Sequence, residues 1–138
     1  MMPTSGASIE ASERISRFIH QRDNFTQSTG NISFRVFLPP NNGDYTQELS
    51  VFRTEGLDEP RVWSESDALR PGALARADFR AACVPLVAES GCQLELVPDN
   101  QPPGHALIAG WPPADSRDLR KLLAMRLRDA SQPALVVR

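Results

Sequence analysis

Lysine is almost missing from this chain: Lys121 is the single lysine among fifteen cationic residues, so the positive charge is guanidinium nearly throughout. Guanidinium groups suit planar, two-pronged contacts to carboxylate or phosphate. No surplus of positive charge exists either. A net charge of −2 argues against a dedicated nucleic-acid binder, which carries a strongly basic face. Cysteine is scarce, and Cys83 and Cys92 stand nine positions apart with no histidine beside them, which is not a zinc-ligand spacing. The two histidines and two cysteines are scattered, so no metal site and no cofactor are expected. No apolar run approaches the roughly 18 residues that span a bilayer. The N-terminus lacks the basic and apolar regions of a signal peptide, so the expectation is a cytoplasmic protein with both thiols reduced and buried. Internal repeats, heptads and low-complexity segments are also missing.

What is present is ordinary for a globular domain. A chain of 138 residues with 41% apolar and 23% charged residues can bury a real core without disulfides or metals. Twelve prolines predict rigid turns and short helices. Residues 1–8 read as a flexible N-terminal tail and 9–138 as one domain.

Along the chain, Ile9, Ile15, Phe18 and Ile19 suggest one apolar side of a helix from Ser8 to about Gln21. Residues 32–38 and 48–53 alternate and predict two strands, paired as a hairpin across the Pro39–Asp44 turn signal. Asp58 followed by Pro60 predicts a capped helix ending before Pro71-Gly72. Residues 74–82 are read as a strand and Val84–Glu89 as a short helix with Gly91 as its C-cap. Strands follow at 93–98 and 105–109, then a helix over 114–130 capped by Asp115 or Ser116, then an edge strand at 134–137. The sum is an α+β domain, a mainly antiparallel β-sheet packed against helices.

The chemistry points to residues 99–113. A Pro-Pro-Gly turn leads into His105, whose imidazole is a side chain able to act as a general acid or base. If strands 93–98 and 105–109 pair, Asp99 returns to the imidazole and can accept its N–H, fixing the tautomer. The bland alternative is turn chemistry at Asp99 and a structural histidine. Arg53 and Arg76 lie among apolar and small residues and are candidates to clamp an anionic ligand; the alternative is a surface arginine with its stem on the sheet. Trp111 is a candidate ligand-stacking or partner-binding residue, or else an edge of the core. Ser50 points opposite Arg53 on its strand, and no G-x-S-x-G context surrounds it, so it is not counted as a nucleophile.

The strings Leu49-Ser50-Val51-Phe52-Arg53, Arg76-Ala77-Asp78 and Asp99 through Pro112, ending His-Ala-Leu-Ile-Ala-Gly-Trp-Pro, together resemble a family of small uncharacterised bacterial proteins. The resemblance implies a recurrent bacterial domain and transfers no activity or site roles. Two functional expectations follow from the residues. One is a small interaction or accessory module that presents an exposed apolar patch, at Trp111 or the C-terminal helix, to a protein partner. The other is a small enzyme or sensor for an anionic ligand such as a nucleotide or phosphoester. In it His105 is the acid/base, Asp99 orients it, and Arg53 with Arg76 binds the anion.

Overall fold

The computed structural model describes residues 8–40 and 48–138. Six strands are β1 (Arg14–Ile19), β2 (Leu49–Arg53), β3 (Ala75–Arg80), β4 (Glu95–Pro98), β5 (His105–Ala109) and β6 (Ala134–Val137). They form one sheet in the order β6-β3-β1-β2-β5-β4, with every neighbouring pair antiparallel. Two α-helices, α1 (Glu59–Leu69) and α2 (Arg117–Ser131), and short 3-10 turns at Phe34–Phe37 and Ala81–Leu86 pack on it. This is an α+β domain. The expected tail over residues 1–7, and most of the loop after Pro40, lie outside the described residues.

The first segment departs from the expected helix. Arg14–Ile19 is a strand at the centre of the sheet, with β3 on one side and β2 on the other. Its spacing fits both periods, but pairing on both edges satisfies its backbone polar groups while Ile15 and Ile19 are buried, so tertiary context overrides local pattern. The expected 32–38 strand is a second departure. Asn31–Ile32 pairs with Phe25–Thr26, and Phe34–Phe37 then forms a 3-10 turn, started by the Ser33 side chain accepting from the Arg35 N–H. Val36 and Phe37 are both buried, which consecutive residues of a half-exposed strand cannot achieve. The partners of β2 are therefore β1 and β5 rather than residues 32–38. A third departure lies at 84–89, where the helical turn comes earlier, at Ala81–Leu86, and Ala88–Glu89 pairs with Cys92–Gln93. Ser90 and Gly91, both at positive φ, make the hairpin turn between them, so Gly91 is not a helix cap. The two thiols are free and only half-buried.

The sheet has two unlike faces. Ile15, Leu49, Val51, Ala75, Ala77, Phe79, Ala106 and Ile108 face the main core, closed by Leu123, Ala124 and Leu127 of α2 and by Val36 and Phe37. Phe37 and Phe79 meet edge to face at 5.8 Å. On the other face, α1 covers only the β3–β1–β2 portion. Asp58 caps it by accepting from the Arg61 N–H at 3.0 Å, and Pro60 sits in its first turn. Trp63 packs on Phe18 at 6.3 Å, and Phe18 on Phe52 at 6.4 Å. Gly110, at φ +96°, ends β5 where a Cβ would stand 2.1 Å from the Gln93 carbonyl oxygen, so no side chain fits there.

Helix α1 is tied down by charge as well as by rings. Arg76 is 1% exposed, the largest fully buried side chain. Its Nη1 and Nη2 donate to the two Glu59 carboxylate oxygens at 2.9 and 2.7 Å, and its Nε donates to Asp78 at 3.0 Å. Trp63 stacks against the guanidinium at 4.9 Å. The network continues from Asp78 to the Ser16 hydroxyl at 2.5 Å, then to Thr54 at 2.8 Å and to Arg14.

Removing the guanidinium strands a largely buried carboxylate at Asp78 and opens a cavity under α1. Arg76→Ala should therefore lower unfolding free energy by about 3–5 kcal/mol, read by urea denaturation. Acid sensitivity supplies a second test. The hydrogen bonds from Arg76 hold the Glu59 carboxyl below its ordinary range, and those from Arg138 do the same for Asp67. A depressed carboxyl adds stability above its unfolded pKa and loses it as pH falls through the folded value. Stability should decline below about pH 4, and Glu59→Gln should make that decline shallower. The change should be small because the Glu59 side chain is 58% exposed.

Candidate functional site

The site grows out of the pairing between β2 and β5. Their register sets Leu49 against Ile108, Ser50 against Leu107, Val51 against Ala106 and Phe52 against His105. Ser50 and Phe52 share the face turned away from the main core, and so do Leu107 and His105. Ser50 and His105 are thus diagonal neighbours across adjacent strands, a relation that long side chains can bridge. The Ser50 hydroxyl oxygen lies 2.5 Å from His105 Nε2.

The turn from β4 to β5 supplies the third group. Pro98 pairs with Ala106, so Asp99 leaves the sheet beside the base of His105. Asn100 adopts a left-handed backbone at φ +61°, and its N–H donates to the His105 carbonyl at 3.2 Å while the His105 N–H donates to Pro102 at 2.9 Å. This closed turn brings Asp99 Oδ1 to 2.7 Å from His105 Nδ1. The same oxygen accepts from the Gln101 N–H at 3.3 Å, which holds the carboxylate in place. Gly104 completes the turn at φ +89°, its Cα side against the Phe52 ring, where a Cβ would come within 3.0 Å. The Gly104 carbonyl accepts from the Arg53 N–H at 2.8 Å and so clamps the turn to β2.

Both ring nitrogens of His105 are therefore engaged. A carboxylate accepts at Nδ1, so Nδ1 carries the proton and Nε2 is left as an acceptor for the Ser50 hydroxyl. The order serine, imidazole, carboxylate is the chain along which a proton can leave a hydroxyl. The His105 side chain is 11% exposed and that of Asp99 27%, so the relay is sheltered but open at one side. Its sheet neighbours in the Ser50 row are Leu107 and Val97, both half-buried.

The other candidates lie elsewhere. Arg53 is on the opposite face of β2, where Nε and Nη2 bind Glu13 at 2.6 and 3.0 Å. Arg76 shares the His105 face but sits toward β3. The row Asp78–Ser16–Phe52–His105 crosses three strand spacings, about 14 Å at roughly 4.8 Å each, and Arg76 is consumed by Glu59 and Asp78. The structure does not assemble these two arginines into a clamp at the imidazole. Trp111 is buried, 8% exposed, and its indole N–H donates to the Ile108 carbonyl at 2.8 Å. It offers no ring to a ligand or partner. No nucleophile turn surrounds Ser50 in the sequence; its only signal is the β period it shares with His105, invisible without knowing that the two segments pair.

Among the described residues no group of three His, Cys, Asp or Glu side chains could hold a metal, and no helix is long and apolar enough to cross a membrane. No protein-family model, curated protein or solved structure matches the chain.

The tautomer is directly measurable. Long-range 1H–15N correlation spectra should show His105 protonated at Nδ1 with an acceptor-type Nε2 in the native protein. In Asp99→Ala the proton should move to Nε2, the preferred site once its acceptor is gone.

Proposed function

We propose that this protein is a small serine-dependent hydrolase acting on an ester or similarly activated acyl group. The observation that carries the reading is the continuous Ser50–His105–Asp99 hydrogen-bonded relay. A structural histidine needs its two nitrogens satisfied; it does not need a hydroxyl on the acceptor nitrogen and an oriented carboxylate on the donor nitrogen at the partly open half of a sheet. In this reading Ser50 Oγ attacks the acyl carbon as His105 Nε2 takes the hydroxyl proton. The resulting imidazolium is stabilised by Asp99, which stays ionised. Collapse of the tetrahedral intermediate breaks the bond to the leaving alcohol, which receives the proton from Nε2. Water then repeats the sequence: His105 takes its proton, its oxygen adds to the acyl-serine carbon, and Ser50 Oγ leaves with the proton returned. The products are the acid and free enzyme.

The competing expectation of a binding module rests on small size, ordinary charge and the lack of a recognisable catalytic or cofactor motif, and it predicts an exposed apolar patch. Among the described residues only Leu69 and Leu86 are exposed large apolar side chains, and Trp111 is buried. The geometry favours the hydrolase reading.

A fluorophosphonate probe tests it. The native protein should be labelled at Ser50, identified by peptide mass spectrometry, and Ser50→Ala should not be labelled. His105→Ala should slow labelling at least a hundredfold and Asp99→Asn comparably, the usual span of a lost general base or of its wrong tautomer. A native protein that stays unlabelled at Ser50 would remove the reading.

A further inference from the structure

The sheet ends in two outer strands, β4 and β6, and their free edges are unlike. In an antiparallel ladder, alternate residues turn both backbone groups toward the same neighbour. The Arg53 amide, bonded to the Gly104 carbonyl at 2.8 Å, sets this alternation on the β4 side. Gly104, Ala106 and Ile108 turn to β2. Leu107 and Ala109 therefore turn to Val97 and Glu95 of β4, and Leu96 and Pro98 face outward. That edge is blunted. The Leu94 N–H already donates to the Val87 carbonyl at 3.0 Å, Pro98 has no N–H to offer, and Glu95 adds an exposed charge. Proline and charge are devices that keep an edge strand from pairing.

Strand β6 has neither within its span, which reads Ala134, Leu135, Val136, Val137. The Arg138 N–H donates to the Leu74 carbonyl at 3.0 Å, and in the same ladder Val136 stands opposite Arg76 and Ala134 opposite Asp78. The inward backbone groups thus belong to Ala134, Val136 and Arg138. Those of Leu135 and Val137 point outward, and among the described residues no strand pairs with them. The Leu135 and Val137 side chains pack at the margin of the main core, half-buried, and Val136 is half-buried on the opposite face. Aliphatic side chains beside unpaired amides make a template for another strand.

This edge is complementary to itself. A two-fold axis through Val136 sets Leu135 of one copy opposite Val137 of the other, and each such pair exchanges both N–H···O=C bonds. Val136 then meets Val136 as the close, non-hydrogen-bonded pair, a favourable contact of β-branched side chains. Arg138 stands opposite Ala134, so no like charges meet. We infer that β6 is a dimerisation edge, along which two copies of this chain join antiparallel into one continuous sheet. Two strands of four residues bury less than the roughly 1,200 Å² of a standard interface, so the dimer is a weak one with a micromolar Kd. The relay lies at the border of β2 and β5, away from this edge, and the inference does not rest on the hydrolase reading.

Sedimentation velocity and amide hydrogen exchange on the native protein, each run from about 5 µM to about 1 mM, test the pairing. The protein should pass from monomer to dimer over this range. The Leu135 and Val137 amides, which bond to nothing in the monomer, should become protected as concentration rises. Val136→Lys places two ammonium groups face to face across the axis and should weaken association at least tenfold. If that variant does not fold, Val137→Pro takes its place: it removes an outward N–H that the monomer does not use, and it should weaken association as much. The exchange measurement needs no variant. A native protein that stays monomeric throughout leaves the edge to a strand of another chain and overturns the inference. So does a dimer whose Leu135 and Val137 amides exchange at a rate independent of concentration, or a folded Val136→Lys that associates as tightly as the native chain.

Discussion

The site depends on β2 and β5 meeting in one register. Ser50 and His105 are 55 residues apart in the chain, and four residue pairs between their strands fix where each side chain stands. Because side chains alternate across a strand, a slip of one residue would send Ser50 into the main core and leave His105 facing Val51 or its equivalents on the wrong side. The register is held from three directions. Leu49, Val51, Ala106 and Ile108 are all buried in the core and would be expelled by a slip. The Arg53 amide is bound to the Gly104 carbonyl at the end of the pair. Phe52 fills the space that the side-chain-free Gly104 leaves open. The positioning of three polar side chains is thus maintained mostly by apolar burial, which is insensitive to whether those polar groups are present.

Charge does a different job in this molecule. The Arg76 cluster does not create the sheet, but it decides where α1 sits on it, by joining a helix-start carboxylate, a strand carboxylate and an aromatic ring through one guanidinium. That placement leaves the β5–β4 end of the same face without the helix, and the relay lies at its border with β2. Covered and uncovered halves of one sheet face have distinct roles: one anchors a helix, the other presents a hydroxyl, an imidazole and a carboxylate. The abundance of arginine over lysine has a structural use in this arrangement, since the planar fork serves several carboxylates at fixed angles while the aromatic face covers its surface.

The elements legible in the sequence were those whose signal is local. Asp58 and Pro60 announce α1, the broad leucine face announces α2, and the alternations around 49–53, 105–109 and 134–137 announce strands, because caps, helical periodicity and strand alternation are properties of a few neighbouring residues. The closeness of Asp99 to His105 was legible for the same reason: both flank one tight turn. Residues 14–19 and 34–37 are not legible locally, because their apolar spacing satisfies more than one period and partners far along the chain choose between them.

The sequence alone determined an α+β domain, the two α-helices, most of the strands and the turn that carries Asp99 to His105. Tertiary structure alone decided that β2 lies beside β5, that Ser50 rather than an arginine meets the imidazole, and that Arg53 and Arg76 are spent on internal carboxylates. Strand order and register are set by which distant apolar faces bury together, and no short window of residues contains that information.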